Sequence, residues 1–420
     1  MTEDVLPEGG HPGGGLPPHS RPTSSDSPLR DAATRQTLRP LLLGNIMQAL
    51  GIQIFAPILP IYLAKNDISS GLIGLTMAAG IAGYGSTQYP SGRIADRFDR
   101  RLVLLSGMLL YSLAFYVYLL PLPGPAIPVV RFLHAGLAGL YTVSAVAVLA
   151  DVTPIEHRGR MYGTWHASTR TGFLIGPLLG GIIASVNLEF AFIFSGASCL
   201  IACAVMTRLP HSRPQRYAVA EKPSTVKAPG LLRRILPLIL IGAGCDYASG
   251  TFMAIWSLWM ISNGATTLAV GLAFCLFALP AVLLSTWLGT AADRYGPRRI
   301  LFLSYLGLAV LGPLCALAHG TVVLSTVALL AGLFTTAARP IVSADASRLV
   351  TPAFQARAQS VLFTGLMAAQ LIAAIAAGLL LGLSPLLAFT TISIVSVISL
   401  SVSLTRYRPG DAAGWAGGGS

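Results

Sequence analysis

The sequence predicts an all-α membrane protein whose twelve transmembrane helices form two pseudo-symmetric six-helix bundles. Three observations carry this prediction. Hydrophobic residues make up 54% of the 420-residue chain and charged ones only 10%, with a mean hydropathy of +0.69. A soluble domain carries about 25% charged residues. The apolar residues gather into about twelve stretches, each near the ~20 residues that cross a bilayer. Finally, Gly92-Arg-Ile-Ala-Asp96-Arg97-Phe-Asp99-Arg-Arg101 recurs as Gly289-Thr-Ala-Ala-Asp293-Arg294-Tyr-Gly296-Pro-Arg-Arg299. Each copy lies between the second and third apolar stretch of its half, so two homologous bundles share one polypeptide.

Taken in order, residues 1–36 are rich in Gly, Pro and Ser and have no apolar core. They are read as a disordered cytoplasmic tail and not as a signal peptide. Spans are expected at roughly 40–64, 71–90, 102–121, 127–150, 161–185 and 189–208, forming an N-terminal bundle over 37–208. Six more, at roughly 235–261, 267–288, 300–318, 321–344, 359–383 and 386–405, form a C-terminal bundle over 235–405. Connections such as Asn187–Leu188 and Ser384–Pro385 are so short that the helices they join are antiparallel. The charged, Pro-containing stretch 209–234 reads as a linker between the bundles, and 406–420 as a flexible tail.

The formal charge of +12 does not imply a nucleic-acid partner, because 24 of the 28 Lys and Arg residues lie in the tails or in every second loop. That is the positive-inside pattern, which puts both termini in the cytoplasm. The partners expected are therefore a lipid bilayer, protons and a small-molecule substrate, with the protein a monomer in the plasma membrane. The five cysteines (Cys199, Cys203, Cys245, Cys275 and Cys315) fall in apolar spans without paired spacing. No disulfide, metal or cofactor is expected. There is no Walker loop, zinc spacing or nucleophile elbow, so the chain is not expected to be an enzyme and must draw on ion gradients.

The duplicated loop has a mechanical reading. Gly92 would allow close backbone approach at a helix end. Asp96 would accept from the N-terminus of a neighbouring helix, and Arg97 and Arg101 would hold the loop at an anionic membrane face. Gly289, Asp293 and Arg294 would repeat the latch. The loop resembles the signature between helices two and three of the major facilitator superfamily, which repeats it in its second half. Asp99 and Ile94 depart from that pattern in the first copy, and Ala291 in the second. The resemblance covers residues 38–405 and implies two bundles that rock around a central site, giving alternating access.

In the fifth span, Gly172, Gly176 and Gly180 recur every fourth residue and form a flat stripe for helix packing. Pro177 bends that helix. The string resembles the antiporter signature of drug:proton exchangers in that superfamily, which implies a gate and export. Arg131-Phe-Leu-His134 in the fourth span resembles a further motif, implying a link between Arg131 and proton transfer; snorkelling to the interface is its other reading.

Charges within spans are costly and normally face a cavity or a partner. Asp246 is the only carboxylate deep within an expected span, and Arg170 lies mid-way along another, on one stripe with His166 and Tyr162. Asp246 and Arg170 are expected either to form an ion pair between the halves or to act with protons as a switch. Asn45, Gln48 and Gln53 fall on one arc of the first span, suggesting a face toward an aqueous cavity. Tyr247, Met253 and Trp256, with Phe274 and Phe277, suggest an aromatic pocket for lipophilic or cationic cargo. The leading expectation is thus proton-coupled efflux of small organic molecules. Proton-driven or facilitated uptake of a sugar or metabolite is the alternative within transport, and a non-transporting membrane sensor or scaffold the alternative outside it.

Overall fold

The computed structural model describes residues 27–153, 157–209, 231–350 and 354–406. Fourteen helices run through them. Those of the first half are α1 (Ser27–Phe55), α2 (Ile58–Lys65), α3 (Ser70–Arg97), α4 (Arg100–Val117), α5 (Ala126–Val152), α6 (Arg158–Val186) and α7 (Leu188–Met206). The second half holds α8 (Leu231–Ser262), α9 (Thr267–Tyr295), α10 (Pro297–Leu317), α11 (Thr321–Thr336), α12 (Ala338–Arg348), α13 (Gln355–Leu381) and α14 (Pro385–Arg406). Helix α1 begins inside the segment expected to be a disordered tail, because Ser27–Pro28 is a helix start at which the proline's missing N–H costs nothing. The rest of that tail (1–26), most of the linker (210–230) and the last residues (407–420) lie outside the described residues.

Fourteen helices make twelve spans because two spans are broken, each at a proline. Pro57 follows α1 and cannot donate to the ladder, so α2 restarts at Ile58 and completes the span Thr37–Lys65. Pro340, in the first turn of α12, releases the Thr336 carbonyl and separates α11 from α12 within Thr321–Arg348. Among the described residues, eleven helical segments are long and apolar enough to cross a membrane. Helix α3 has the length, at 28 residues, but not the apolarity. It packs on α5 along one side and on α13 along the other, which spares it much of the contact with lipid.

Each half folds on itself, through α1–α6, α1–α7 and α3–α5 in the first and α8–α13, α9–α11 and α10–α14 in the second. The halves meet chiefly along α3–α13 and α6–α9. Gly139-Leu-Tyr-Thr142 in the fourth span recurs as Gly332-Leu-Phe-Thr335 in the tenth, and the structure gives this repeat a cause. A Cβ on Gly139 would run into Thr87 of α3, and one on Gly332 into the Phe277 carbonyl of α9. In both halves this glycine is where the fourth span crosses the second.

The duplicated loop is built in two ways. In the first copy Asp99 is the N-cap of α4, its carboxylate accepting from the Arg101 amide at 2.9 Å. In the second copy Gly296 takes φ +87° and Pro297 opens α10. Asp99 therefore replaces glycine by supplying a side-chain cap, at a backbone that needs no positive φ.

Candidate functional site

Among the described residues the second half buries two carboxylates, Asp345 near the end of α12 and Asp246 on α8, and Asp246 is the one midway along a span. Its carboxylate is paired with Arg339 of α12 and accepts from Gln370 Nε2 of α13 at 2.7 Å, both donors reaching Oδ1. The Asp246 side chain is 5% exposed and that of Arg339 44%, so a buried carboxylate faces a guanidinium that reaches solvent. Cation and amide partners are what a carboxylate needs to stay ionised at this depth. Arg339 also lies 5.5 Å over the Phe363 ring. A Cβ on Gly250 of α8 would come within 2.6 Å of the Gln370 carbonyl, so α8 and α13 are in backbone contact beside the cluster. The expected Asp246–Arg170 pair is not formed. Arg339 is the partner instead, because the break before α12 sets it in the first turn of a new helix that packs on α8.

Arg170 of α6 reaches across to the second half. Its Nη1 donates to Ser285 Oγ at 2.7 Å and to the Ala281 carbonyl at 3.2 Å, both on α9. Eleven residues further along α6, about three turns on the same face, Gly181 meets α9 directly. A Cβ there would sit 2.6 Å from the Thr267 carbonyl and 3.1 Å from Gly271 Cα. In the other direction, a Cβ on Gly163 would find nothing within 4 Å, as would one on Gly289 of α9. Contact becomes a bridged gap and then open space.

The α3–α13 pair repeats the pattern. A Cβ on Gly74 would lie 2.7 Å from Gly378 Cα, whereas one on Gly85, three turns on, would meet only Met367 Sδ at 3.8 Å. Gly74, Gly378, Gly181 and Gly271 all lie near the end of the bundle that carries the short loops. The halves therefore close at that end and diverge toward the end with the basic loops, leaving a cleft onto which His166 and Arg170 are exposed.

The glycine stripe of α6 packs within its own half. Cβ atoms on Gly172, Gly176 and Gly180 would strike Ala49, Gln53 and the Ile54 carbonyl, all on α1 of the same half. The stripe welds α1 to α6, with Pro177 between, and the inter-half contact falls to its neighbour Gly181. Gly176→Leu is accordingly expected to lower folding yield and detergent melting temperature, since its Cβ would lie 2.5 Å from Gln53 Cβ. A variant that melts like the wild type and loses only transport would return the stripe to a gating role.

The polar arc of α1 is also internal. Asn45 is 2% exposed. Its Nδ2 donates to Ser168 Oγ at 2.7 Å and Thr169 Oγ1 at 2.8 Å, while Tyr141 donates to its Oδ1 at 3.2 Å. Gln53 is buried under Gly176, and Gln48 is half-buried. Asn45 fastens α1 to α5 and α6, and Gln53 packs on α6, rather than face water. The expected aromatic pocket is core as well: Trp256 and Tyr247 are buried, Met253 is half-buried, and Phe252 stacks on Phe277 and Trp256 at 5.2 and 4.5 Å.

Arg131 points inward rather than snorkelling. Its guanidinium lies 5.2 Å over Phe55, and Nε and Nη1 are buried without a hydrogen-bond partner among the described residues. One turn on, His134 sits among Phe55, Tyr111, Phe115 and Tyr118, with Nδ1 3.3 Å from the Tyr118 hydroxyl.

At the basic-loop end the latch runs through a residue the sequence reading passed over. Arg100 bonds Asp96 at 3.3 Å and is paired with Asp151 at the end of α5. Asp96 is 72% exposed and serves Arg100 rather than a helix N-terminus. Arg97 is exposed, and Arg101 donates to the Thr207 carbonyl, tying α4 to the end of α7. Gly92 has room for a Cβ, its nearest neighbour being Val143 at 4.0 Å, so close approach does not explain either loop glycine. In the second copy Arg294 lies 5.4 Å over Tyr295, and the Asp293 side chain is outside the described residues. The counterpart of Asp151, Asp345, pairs with Arg348 on its own helix at 3.5 Å.

Comparison with known proteins places these features. The family model of the Major Facilitator Superfamily matches residues 41–245 and again 238–416. Multidrug resistance protein 2 of Bacillus subtilis (strain 168) is 32% identical over 172 residues, 40% of this chain and 42% of that protein. Quinolone resistance protein NorA of Staphylococcus aureus (strain MRSA252) is 26% identical over 162 residues, 39% and 42% of the two chains. The chain thus spans about two fifths of the length of the curated relatives it matches. Among solved structures, a bacterial homologue of the human lysosomal transporter Spinster, inward-facing and occupied, superposes with TM-score 0.75 at 13% identity, over 88% of this chain and 96% of that one. A D-xylose–proton symporter does so with TM-score 0.69 at 15% identity, over 89% and 98%. At such identities the likeness is one of fold.

Proposed function

Because the chain belongs to the major facilitator superfamily, and is therefore a multi-pass membrane transporter and not an enzyme, we propose that it exports small lipophilic organic molecules across the plasma membrane in exchange for protons. The observation that carries this reading is the buried Asp246 held between Arg339 and Gln370 on three different helices. No cofactor is invoked. In this reading the cleft opens to the cytoplasm, as the basic loops at that end require, and the protein works as a monomer.

The chemistry follows from charge. With Asp246 ionised, its attraction for Arg339 and Gln370 draws α12 and α13 onto α8. A proton on Asp246 cancels that attraction and frees Arg339 to turn outward, where it is already partly exposed. Helix α13 carries the consequence, because Gln370 lies about two turns from Gly378, the residue that meets Gly74 across the halves. Loosening one end of a rigid helix thus bears on the contact that closes the short-loop end. An alternating-access cycle needs such an element, one with two arrangements that the proton biases.

The test is proton release from acidified inside-out vesicles containing the protein, scored against a panel of lipophilic ions, antibiotics and sugars. Compound-evoked proton efflux, absent from empty vesicles, is the expected result. Inserted, folded protein that moves a compound without protons would overturn the exchange. Uptake of a sugar driven by an inward proton gradient would replace export by symport.

A further inference from the structure

We propose that Arg170 is an anion-recognition residue in the cleft, and that the cargo bears a carboxylate, sulfonate or comparable anionic group on an apolar body. This rests on the transporter reading above and narrows it. It also reverses the cationic cargo expected from the aromatic residues, which the structure assigns to the core.

The argument is a charge balance. Among the described side chains, the carboxylate midway along a span is Asp246, and its charge is met by Arg339 and Gln370 inside the second half. Asp151 and Asp345, at span ends, are paired with Arg100 and Arg348. Among the described residues Arg170 has no carboxylate partner: its two contacts are a hydroxyl and a carbonyl on α9. It lies about 12 residues, roughly 18 Å, along α6, deep in the span yet exposed. A guanidinium at that depth is costly unless water or an anion meets it. His166, one turn away and also exposed, adds no negative charge. Thr171, exposed beside it, adds only a hydroxyl. The cleft therefore repels cations and offers an anion a planar, multi-donor partner.

Position gives the residue a second role. Arg170 spans the gap just where the halves begin to diverge, between the glycine contact at Gly181 and the open stretch at Gly163. An anion that takes its guanidinium weakens the bonds to Ser285 and Ala281. Cargo binding thus exchanges an inter-half bridge for a bond to the cargo.

The experiment compares two xanthene dyes of similar shape and opposite charge, 5-carboxyfluorescein and rhodamine 123. Binding to the full chain in lipid nanodiscs is followed by fluorescence anisotropy without a proton gradient. The wild type is expected to bind the anionic dye saturably and the cationic dye more weakly. Arg170→Gln should weaken the anionic dye about tenfold or more, as expected for loss of a charge-assisted bond, and leave the cationic dye unchanged or tighter. Arg170→Lys should retain part of the affinity. Ser285→Ala separates recognition from bridging: it removes the inter-half bond but no charge, so it should leave the anionic dye bound as tightly as before or tighter.

Absence of saturable carboxyfluorescein binding overturns the proposal. So does equal loss of both dyes in Arg170→Gln, or a Ser285→Ala variant that loses binding as Arg170→Gln does. The proposal and the export reading fail separately. Proton exchange for rhodamine 123 with no Arg170 dependence keeps proton-coupled export and removes anion recognition. Arg170-dependent dye binding without proton flux keeps recognition and removes the coupling.

Discussion

Asp246→Asn is expected to reduce substrate-evoked proton flux at least tenfold while the protein remains folded, inserted and able to bind cargo. Asparagine matches aspartate in shape, so Oδ1 can still accept from Gln370 and Arg339 at the junction of α8, α12 and α13. What it loses is the ability to hold a charge or take up a proton. The substitution therefore mimics the neutral state permanently, and the step that must alternate stops alternating. The distinguishing measurement is substrate counterflow, which moves labelled cargo against unlabelled cargo with no net proton movement. Counterflow should persist in Asp246→Asn while proton-coupled accumulation disappears. If coupled accumulation is unchanged, Asp246 has no part in the coupling. If both activities vanish along with the thermal transition, the residue is structural, as a buried ion pair can be.

The second large effect is expected from the glycines at which the halves touch. Gly181→Leu and Gly378→Leu each drive a branched side chain into the backbone of the opposite half, where even a Cβ would come within 2.6 Å of the Thr267 carbonyl and Gly74 Cα respectively. Backbone cannot yield as a flexible side chain can, so the halves must part at the short-loop end. Transport should fall about tenfold or more, since a cycle that cannot close one gate leaks or stalls. A cysteine placed at Ser70, whose carbonyl would lie 2.7 Å from a Cβ on Gly378, should become more reactive to a membrane-impermeant maleimide in Gly378→Leu. Unchanged reactivity with normal transport would mean that the glycine contact does not close the gate.

Much of the fold was open to the sequence because lipid makes simple demands. A span must be long and apolar, so the spans and the antiparallel order of neighbours joined by short loops follow from composition. The two broken spans were expected to be continuous, and only the structure shows the breaks at Pro57 and Pro340 and what the second one does for Arg339. The site was less legible, since it depends on which way each helix faces. Asp246 stood out as a carboxylate in an apolar span, yet its partners lie 93 and 124 residues away, and Arg170 was an equally reasonable choice by depth. The glycines of α6 announced a packing stripe without naming the helix they pack on. Only a rotation of about one residue separates Gly180, which seats α1, from Gly181, which meets the other half. Asn45, Gln53 and Trp256 were misjudged for a related reason: a polar or aromatic residue in a span has the same composition whether it lines water or binds a neighbouring helix.

The weak apolarity of α3 bears on how the chain is made. A segment that enters a bilayer on its own does so by its hydropathy, and α3 alone among the long described helices falls short. One of its two main neighbours, α13, is synthesised long after it. During translation, then, α3 is held in the membrane chiefly by α5, at the crossings made by Gly83, Gly136 and Gly139. Those glycines act first as insertion partners for a helix too polar to stay in lipid unaided. The same polarity that makes α3 dependent while the protein is being built suits it to the cleft between the halves, where a Cβ on Gly85 would meet only Met367.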